Sequence, residues 1–329
     1  MSTPRYYHTA SLLSNATVLI AGGYYTNGVS LNNTELYSVN SDNWTTTGNM
    51  NVGRRQHTAT LLANGKILVT GGKDVSGSIS SAELYDASTG IWSTTGNMNK
   101  ARYFHTASVL ANSFVLVTGG LGGFGGISTF LNSAELYNSS SGTWTATGSM
   151  SLVRYWHTAS MLSNGKILVS GGNNGSSAVN SAELFDPLTG TWASTGNMNV
   201  ARSYHTASLL ADGRVLVTGG FNDNVSLNSA ELYNSTTNTW TYTSNMSIAR
   251  QFHTASVLAS GKVLVTGGSL NGTCLNTAEL YDLSTGLWTV ISNMTIPRIL
   301  HTATILANGA VLVTGGYNGS ALSNVEQYY

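Results

Sequence analysis

A run of consecutive apolar residues that ends in two glycines recurs seven times along the chain. In the second copy it reads Lys66-Ile67-Leu68-Val69-Thr70-Gly71-Gly72. Apolar side chains on successive positions are typical of a short strand that is covered on both faces. A glycine pair at the end of a strand indicates a sharp bend or the close approach of another backbone. The pairs are Gly22-Gly23, Gly71-Gly72, Gly119-Gly120, Gly171-Gly172, Gly219-Gly220, Gly267-Gly268 and Gly315-Gly316.

Three further segments of each repeat have the pattern of strands. Before the apolar run stands Arg-x-x-His-Thr-Ala, whose residues alternate as they do in a half-buried strand. After it come a segment such as Ala182-Glu183-Leu184-Phe185 and a segment that carries a tryptophan, such as Trp192. We name the four strands a to d in chain order. The b–c loop joins strands b and c, and the d–a loop joins strand d to strand a of the next repeat.

Tight turns connect strands a and b. Five repeats carry a glycine dipeptide there, which favours positive φ and closes a hairpin. The first and third repeats have Asn15-Ala16 and Asn112-Ser113 instead, so we expect those two turns to differ locally from the others. The five glycine dipeptides are Asn64-Gly65, Asn164-Gly165, Asp212-Gly213, Ser260-Gly261 and Asn308-Gly309.

The spacing within the repeat is fixed everywhere except in the b–c loop. Each motif histidine precedes its glycine pair by the same interval, from His8 to Gly22 as from His301 to Gly315. The b–c loop is longest in the third repeat, over residues 121–130. A length change confined to one loop places that loop outside the packed framework. Four short strands repeated at a fixed period are the design of a propeller blade.

We therefore predict an all-β fold, a seven-bladed β-propeller of four-stranded antiparallel blades that forms one domain over residues 1–329. The last blade should lack its outer strand within this chain, because the sequence stops inside strand c at Tyr329. Three explanations stay open: the chain is a fragment, the blade is natively three-stranded, or a partner chain donates the strand. We expect an open edge near Val325–Tyr328, which would allow self-association. The repeats start near Arg5, Arg54, Arg102, Arg154, Arg202, Arg250 and Arg298.

Charged residues are scarce, at 9%, and their net charge is zero. No basic field exists to attract nucleic acid or an anionic membrane, and no run approaches the roughly 18 apolar residues of a membrane span. The single cysteine, Cys274, excludes an intramolecular disulfide and a cysteine-based zinc site.

Compartment stays open on the sequence. No signal peptide is visible before Arg5. Asn-x-Ser/Thr sequons are frequent, either by chance in a chain rich in these residues or because the protein is a secreted glycoprotein. Secretion is favoured if the chain is part of a longer protein. The sequons begin at Asn15, Asn32, Asn43, Asn138, Asn174, Asn224, Asn234, Asn245, Asn271, Asn293 and Asn318.

Each repeat contributes one arginine, one histidine and one glutamate at fixed places. A catalytic site is normally single, so seven copies predict a structural ring in which Arg pairs with Glu and His packs between blades. A metal site is not predicted, because local spacing such as His-x-x-x-His is missing. The ring comprises the seven arginines named above, the histidines His8, His57, His105, His157, His205, His253 and His301, and the glutamates Glu35, Glu83, Glu135, Glu183, Glu231, Glu279 and Glu326.

The order Arg-x-x-His, Gly-Gly, Glu-x-Tyr and Trp resembles the kelch repeat; the seventh unit ends before its Trp, and the fourth has Phe185 in place of Tyr. In the fifth unit these residues are Arg202, His205, Gly219-Gly220, Glu231-Leu232-Tyr233 and Trp240. The resemblance implies a kelch-type propeller whose d–a and b–c loops lie on one face, which is commonly the binding face. We call it the loop face. Kelch propellers include adaptors, scaffolds and a few oxidases.

Residues that break the repeat on the loop face are the candidate ligand contacts. Two variable residues stand between each motif arginine and its histidine, and many are aromatic. Aromatic side chains suit a carbohydrate or an extended peptide and often anchor interfaces. Whether the second residue of each pair instead packs between blades stays open. The candidates are Tyr6, Tyr103, Tyr155, Trp156, Tyr204 and Phe252, with Phe124 and Phe130 in the long b–c loop.

These observations predict a non-enzymatic module that binds a protein, peptide or glycan and uses no cofactor or metal. One alternative is a structural or self-assembling protein, which the near-identical units and low charge favour. A second is a copper-radical oxidase resembling the galactose oxidase group. That resemblance would require a Cys–Tyr crosslink with Tyr and His copper ligands, whereas Cys274 is the only thiol and no histidine stands outside the motif.

Overall fold

The structure, a computed structural model, describes residues 1–25, 28–123, 125 and 127–329. Within these residues six sheets contain four strands each, hydrogen-bonded in the order a-b-c-d, and a seventh contains three. All neighbouring strands are antiparallel. The predicted all-β fold of seven propeller blades is therefore confirmed. No helix in the described part is long and apolar enough to cross a membrane.

The chain forms two compact units, and the first consists of Met1–Thr147 with His301–Tyr329. Blade 1 contains β1 (Thr9–Leu12), β2 (Thr17–Ala21), β3 (Thr34–Ser38) and β4 (Asn43–Thr46). Blade 2 contains β5 (Thr58–Leu61), β6 (Ile67–Thr70), β7 (Ala82–Asp86) and β8 (Ile91–Thr94). Blade 3 contains β9 (Thr106–Val109), β10 (Phe114–Thr118), β13 (Ala134–Asn138) and β14 (Thr143–Ala146), and its b–c loop forms the hairpin β11 (Leu121–Gly122) and β12 (Thr129–Phe130). Blade 7 contains β29 (Thr302–Ile305), β30 (Val311–Thr314) and β31 (Val325–Tyr328).

The second unit is Gly148–Leu300. Blade 4 contains β15 (Thr158–Met161), β16 (Ile167–Ser170), β17 (Ala182–Asp186) and β18 (Thr191–Ser194). Blade 5 contains β19 (Thr206–Leu209), β20 (Val215–Thr218), β21 (Ala230–Asn234) and β22 (Thr239–Tyr242). Blade 6 contains β23 (Thr254–Val257), β24 (Val263–Thr266), β27 (Ala278–Asp282) and β28 (Leu287–Ile291), with the loop hairpin β25 (Ser269–Leu270) and β26 (Thr273–Cys274).

Adjacent blades in each unit meet along strand a. In the first unit β29, β1, β5 and β9 neighbour one another in that order, and in the second unit β15, β19 and β23 do so. Strand a carries mostly Thr, Ala and Ser, whereas strand d carries the tryptophan. Small side chains therefore occupy the crowded inner strands, and large ones fill the wider space at strand d.

The hydrophobic core lies between blades. All four residues of β6 are buried, as its continuous apolar run predicts. Ile67 and Val69 pack with Leu19 of blade 1, and Trp92 of blade 2 belongs to the same cluster. Met50, in the d–a loop that joins the two blades, is also part of this cluster. Each blade therefore buries its apolar side chains against its neighbour.

The glycine pair is required by close contacts between blades. Gly22 has φ of 62° and Gly23 has φ of 104°, both in the left-handed region. A Cβ on Gly22 would lie 2.5 Å from the carbonyl oxygen of Arg54 and 2.9 Å from the His57 ring. The Gly23 N–H donates to the same Arg54 carbonyl at 2.8 Å. No larger residue fits this junction.

Blade 7 has three strands among the described residues. Strand β31 pairs with β30, and no other described strand pairs with it. Its residue Gln327 donates a side-chain hydrogen bond from Nε2 to the Tyr37 hydroxyl of blade 1 at 2.5 Å. The arrangement agrees with the predicted absence of strand d from the last blade.

The a–b turns of blades 1 and 3 share the backbone conformation of the others, and the local difference is that strand b begins one residue earlier there, at Thr17 and Phe114. Ala16 and Ser113 have φ of 59° and 66°, in the same left-handed region as Gly65 at 80°. Leu13 donates to Thr17 O at 2.8 Å, as Leu62 donates to Lys66 O at 2.9 Å. The strand register fixes a five-residue hairpin, and the residue at the fourth position adopts the geometry whatever its side chain.

Replacing Ala16 with glycine should stabilise the protein by about 1 kcal/mol, because a residue with a Cβ is strained in the left-handed region. The measurement is the free energy of unfolding in urea. The matched control is Gly65→Ala, where a Cβ would meet no atom within 4 Å, so its expected loss of similar size reports backbone strain alone. A stable Gly65→Ala variant would contradict the explanation.

Candidate functional site

The motif arginines and glutamates form buried clamps between the d–a loop and strands b and c. Arg54 is fully buried and donates from Nη2 to Glu83 Oε1 at 2.7 Å and from Nη1 to the Gly71 carbonyl at 2.8 Å. Glu83 also accepts the backbone N–H groups of Asn51 at 2.7 Å and Val52 at 3.1 Å. The equivalent described pairs are Arg5–Glu35, Arg102–Glu135, Arg154–Glu183, Arg202–Glu231 and Arg250–Glu279.

The electrostatics of the clamp balance burial against pairing. Burial lowers the pKa of Arg54, and the hydrogen bond and charge of Glu83 oppose that change. Burial acts to raise the pKa of Glu35, but the Ser2 N–H and the charge of Arg5 outweigh it and lower this pKa. Arg54 and Glu35 are therefore held ionised by their own partners inside the protein, where burying either charge without a partner would cost free energy.

The motif histidines pack against the preceding blade. His57 shares a hydrogen bond from Nε2 with Thr9 Oγ1 at 3.0 Å, and His8 contacts Thr302 and Thr314 of blade 7 at 3.1 and 3.2 Å. Burial, with a smaller contribution from Arg54, lowers the pKa of His57 to about 3. Burial also places the pKa of His8 and His205 well below the ordinary value. These imidazoles are neutral near pH 7.

The residue before each histidine has a strained backbone that links blades. Tyr7, Gln56 and Phe104 have φ of 56°, 57° and 54°. Gln56 N–H donates to Tyr7 O at 3.1 Å, and Phe104 N–H donates to Gln56 O at 3.3 Å. The same geometry recurs in the second unit, where Tyr204 donates to Trp156 O at 3.3 Å.

The candidates Trp156, Tyr204 and Phe252 stack on one another in the second unit. Ring centroids are 4.0 Å apart for Trp156 and Tyr204 and 4.1 Å apart for Tyr204 and Phe252. Tyr155 lies 4.3 Å from Trp156. All four side chains are half-buried. Each ring therefore presents only part of its surface to solvent.

The candidates Tyr6 and Tyr103 of the first unit belong to a longer row of side chains. Tyr6 lies 5.1 Å from Tyr317 and 5.3 Å from Tyr24. The Arg55 guanidinium lies 4.3 Å from the Tyr24 ring centroid, and the Lys73 ammonium lies 5.3 Å from that of Tyr103. Burial and the neighbouring tyrosines raise the pKa of Tyr6 to about 12. We call this set the aromatic–cation row: Tyr317, Tyr6, Tyr24, Arg55, Lys73 and Tyr103.

Backbone pairing brings the two kinds of loop together at this row. Tyr6 and Tyr24 exchange backbone hydrogen bonds of 3.1 and 2.8 Å, and Arg55 and Lys73 do the same. Residues of the d–a loop therefore lie beside residues that follow the glycine pair. In the second unit, Asn173 stands at the position of Lys73, and Ser203 stands at the position of Tyr103. The cation–ring contact between Lys73 and Tyr103 therefore has no counterpart between Asn173 and Ser203.

The two long-loop candidates have different outcomes. Phe130 lies in β12, opposite Leu121, and is 39% exposed. Phe124 lies outside the described residues. Sequence reasoning missed Tyr24, Lys73 and Tyr317, which stand directly after the glycine pair. The residue at that position also differs from repeat to repeat. Comparing it across the seven repeats, as was done for the residues between Arg and His, would have found these three residues.

The charges that are not neutralised cluster at the row. Seven cations are the buried motif arginines, and four more, each at an a–b turn, pair with aspartates, as Lys66 does with Asp86 at 3.1 Å. The other three such pairs are Lys166–Asp186, Arg214–Asp212 and Lys262–Asp282. Across the described residues, the cations in neither group are Arg55, Lys73 and Lys100. All three belong to the d–a or b–c loops of blades 2 and 3.

A cluster of metal ligands is not present in the described part: no three His, Cys, Asp or Glu side chains stand together. The Cys274 thiol is half-buried in β26, and burial raises its pKa. A raised pKa lowers the thiolate fraction on which cysteine nucleophilicity depends.

A family model described as the KLHDC2/KLHL20/DRC7 Kelch-repeats domain matches residues 124–316, which is more than half of the chain. The chain belongs to the kelch-repeat family. A second model, described as the Kelch motif, matches residues 54–99 of this kelch protein. No curated protein matches the chain.

Among solved structures, this kelch propeller is similar to a fungal alcohol oxidase of the AA5 family in complex with copper. The two are 20% identical, with a TM-score of 0.77, over 96% of this chain and 71% of that chain. At this identity the similarity shows the fold alone. In this chain His57 and His205 share Nε2 with threonine hydroxyls.

Replacing Glu183 with alanine should cost about 3–5 kcal/mol of stability, because it leaves the buried charge of Arg154 without its partner at 2.9 Å. The measurement is the free energy of unfolding. Lys166→Ala is the control, since it breaks an exposed pair with Asp186 and should cost less than about 1 kcal/mol. Equal stability of both variants would refute the clamp as a structural element.

Acidification should destabilise the protein through its buried histidines. The unfolded chain takes up a proton on His57 near the ordinary pKa of 6.5, whereas the folded protein does so only near 3. The stabilising contribution is therefore complete above pH 6.5 and is lost as the pH falls toward 3, by about 2 kcal/mol at about pH 5. Replacing His57 with glutamine should reduce the slope of unfolding free energy against pH by one proton. An unchanged slope would contradict the assignment.

Proposed function

We propose that this kelch propeller is a non-enzymatic module that binds a polypeptide through the loop face of its first unit. The aromatic–cation row carries the proposal. It combines tyrosine rings, a guanidinium and an ammonium on adjacent loops, which is the composition of interface anchors. In the Arg55–Tyr24 and Lys73–Tyr103 pairs, each cation already lies over a ring, so a ligand would find these side chains partly ordered.

Exposed apolar side chains surround the row. Tyr25, Val29, Val75, Ile127 and Phe130, all in b–c loops of blades 1 to 3, are exposed. Such a patch with cations among it suits a partner that carries both apolar and polar groups, as a polypeptide does. Kelch propellers are typical protein-interaction modules, and family membership supports the same role.

The proposal also rests on what the motif residues already do. The ionised pairs bind loop and strand groups, and the neutral histidines bind threonines of the preceding blade. Arg, Glu and His are the side chains that a hydrolytic or redox centre would draw on. Their engagement in the framework supports recognition over catalysis. A copper-loaded sample that oxidised primary alcohols and released hydrogen peroxide would favour the oxidase alternative instead.

A displayed library of random peptides, blocked at both ends, should yield binders of the wild-type chain. Arg55→Ala should weaken binding of selected peptides roughly tenfold, as for an interface arginine anchor. Arg214→Ala is the matched control, because Arg214 is an exposed arginine paired with Asp212 at an a–b turn, and it should bind normally. Tyr155→Ala with Trp156→Ala tests the second-unit stack in parallel.

Three results would count against the proposal. The absence of any selected binder would leave the structural or self-assembling alternative, which light scattering at rising concentration would then detect. Loss of binding in the Tyr155→Ala, Trp156→Ala variant alone would move the site to the second unit. Equal loss in Arg55→Ala and Arg214→Ala would indicate non-specific charge attraction.

A further inference from the structure

We propose that the cleft between the b–c loops of blades 2 and 3 binds an acidic side chain of a polypeptide ligand. The inference rests on the proposed function and names the chemistry of one subsite. The cleft has a volume of about 300 Å³ and is lined on one side by Val75, Ser76 and Gly77 and on the other by Ile127 and Ser128. Lys73 and Tyr103 also line it.

The two loops that form the cleft are tied together. Ser78 donates to the Gly123 carbonyl from its backbone N–H at 3.2 Å and from its hydroxyl at 2.8 Å. A Cβ on Gly123 would clash with the Ile127 carbonyl oxygen, so these two residues lie in close contact. On the other side, Asp74 Oδ1 accepts the N–H groups of Ser76 and Gly77 at 2.7 and 3.0 Å. The Asp74–Ser78 wall of the cleft is thus held by its own hydrogen bonds and by those to Gly123.

The charge of the cleft selects an anion. Lys73 forms no ion pair among the described residues, and its ammonium lies 5.3 Å from the Tyr103 ring centroid. Arg55 and Lys100 stand on the neighbouring d–a loops, so the loops around the cleft carry three cations and one carboxylate, that of Asp74. Asp74 already holds two backbone N–H groups. A carboxylate from a ligand would gain a charge-assisted hydrogen bond from Lys73.

The rim of the cleft selects a polypeptide over a sugar acid. Val75 is 74% exposed and Ile127 is 76% exposed, on opposite sides of the opening. An acidic residue entering the cleft would bring its neighbours in the chain against these two side chains. Apolar neighbours would bury both, which a hydroxyl-covered sugar would not do. We therefore expect an aspartate or glutamate flanked by apolar residues.

The test compares selected blocked peptides with versions in which each Asp or Glu is replaced by its amide. Fluorescence anisotropy of labelled peptides should show that one amide replacement weakens binding to the wild-type chain roughly tenfold. Lys73→Met retains much of the side-chain length without charge and should remove that difference, whereas Lys73→Arg should keep it. Asp74→Asn keeps an oxygen for Ser76 and Gly77 and removes a nearby negative charge, so it should strengthen binding of the acidic peptide.

Lys166→Met is the matched control, since it neutralises an exposed lysine that is already paired at an a–b turn. Peptides that bind without preference for an acidic residue, or acidic peptides that bind Lys73→Met as tightly as wild type, would overturn this inference and leave the proposed function intact. A library that yields no binder would overturn both. Trigalacturonate that binds and competes with the peptides at Lys73 would assign the cleft to acidic sugars instead.

Discussion

The framework depends on one residue type that joins two blades at once. The carbonyl of Arg54 accepts the N–H of Gly23 in the preceding blade, while its guanidinium binds Glu83 and Gly71 in its own blade. The backbone contact requires glycine at the pair that faces the arginine carbonyl, and the side-chain contact requires a carboxylate on strand c. The fixed spacing between Arg and Gly-Gly, and the recurrence of a glutamate on strand c, follow from this single junction. Insertions are tolerated in the b–c loop because it lies outside the junction.

The same junction separates stability from recognition. Motif residues are buried and bound by groups of the framework, and their chemistry is not offered to solvent. The residues between Arg and His, and those after the glycine pair, project from backbone that the junction already holds. Their identities vary from Tyr6 and Tyr24 in blade 1 to Ser203 and Phe221 in blade 5. The aromatic–cation row arises where these variable positions happen to combine rings with cations in adjacent blades.

The fold could be predicted from the sequence because each strand has a local signature that is repeated seven times. The turns of blades 1 and 3 could not, because Ala16 and Ser113 adopt a conformation imposed by strand register and disfavoured by their own side chains. The candidate site was predicted in part. Tyr6 and Tyr103 were found as deviations between Arg and His, but their partners Tyr317, Tyr24 and Lys73 lie far away in sequence. Backbone pairing between the two loops of one blade, and side-chain contacts between adjacent blades, bring these residues together.

The link between the residues that precede the histidines is made by main-chain atoms alone. Tyr7, Gln56 and Phe104 are an aromatic, an amide and an aromatic again, yet each donates or accepts the same backbone hydrogen bond. Each of these side chains can therefore be exchanged without breaking the connection that its peptide group makes. Duplication of such a unit in the gene therefore adds a position whose side chain can change while the backbone hydrogen bond between blades is kept. The family can thus evolve new specificities by substitution at single sites, one blade at a time.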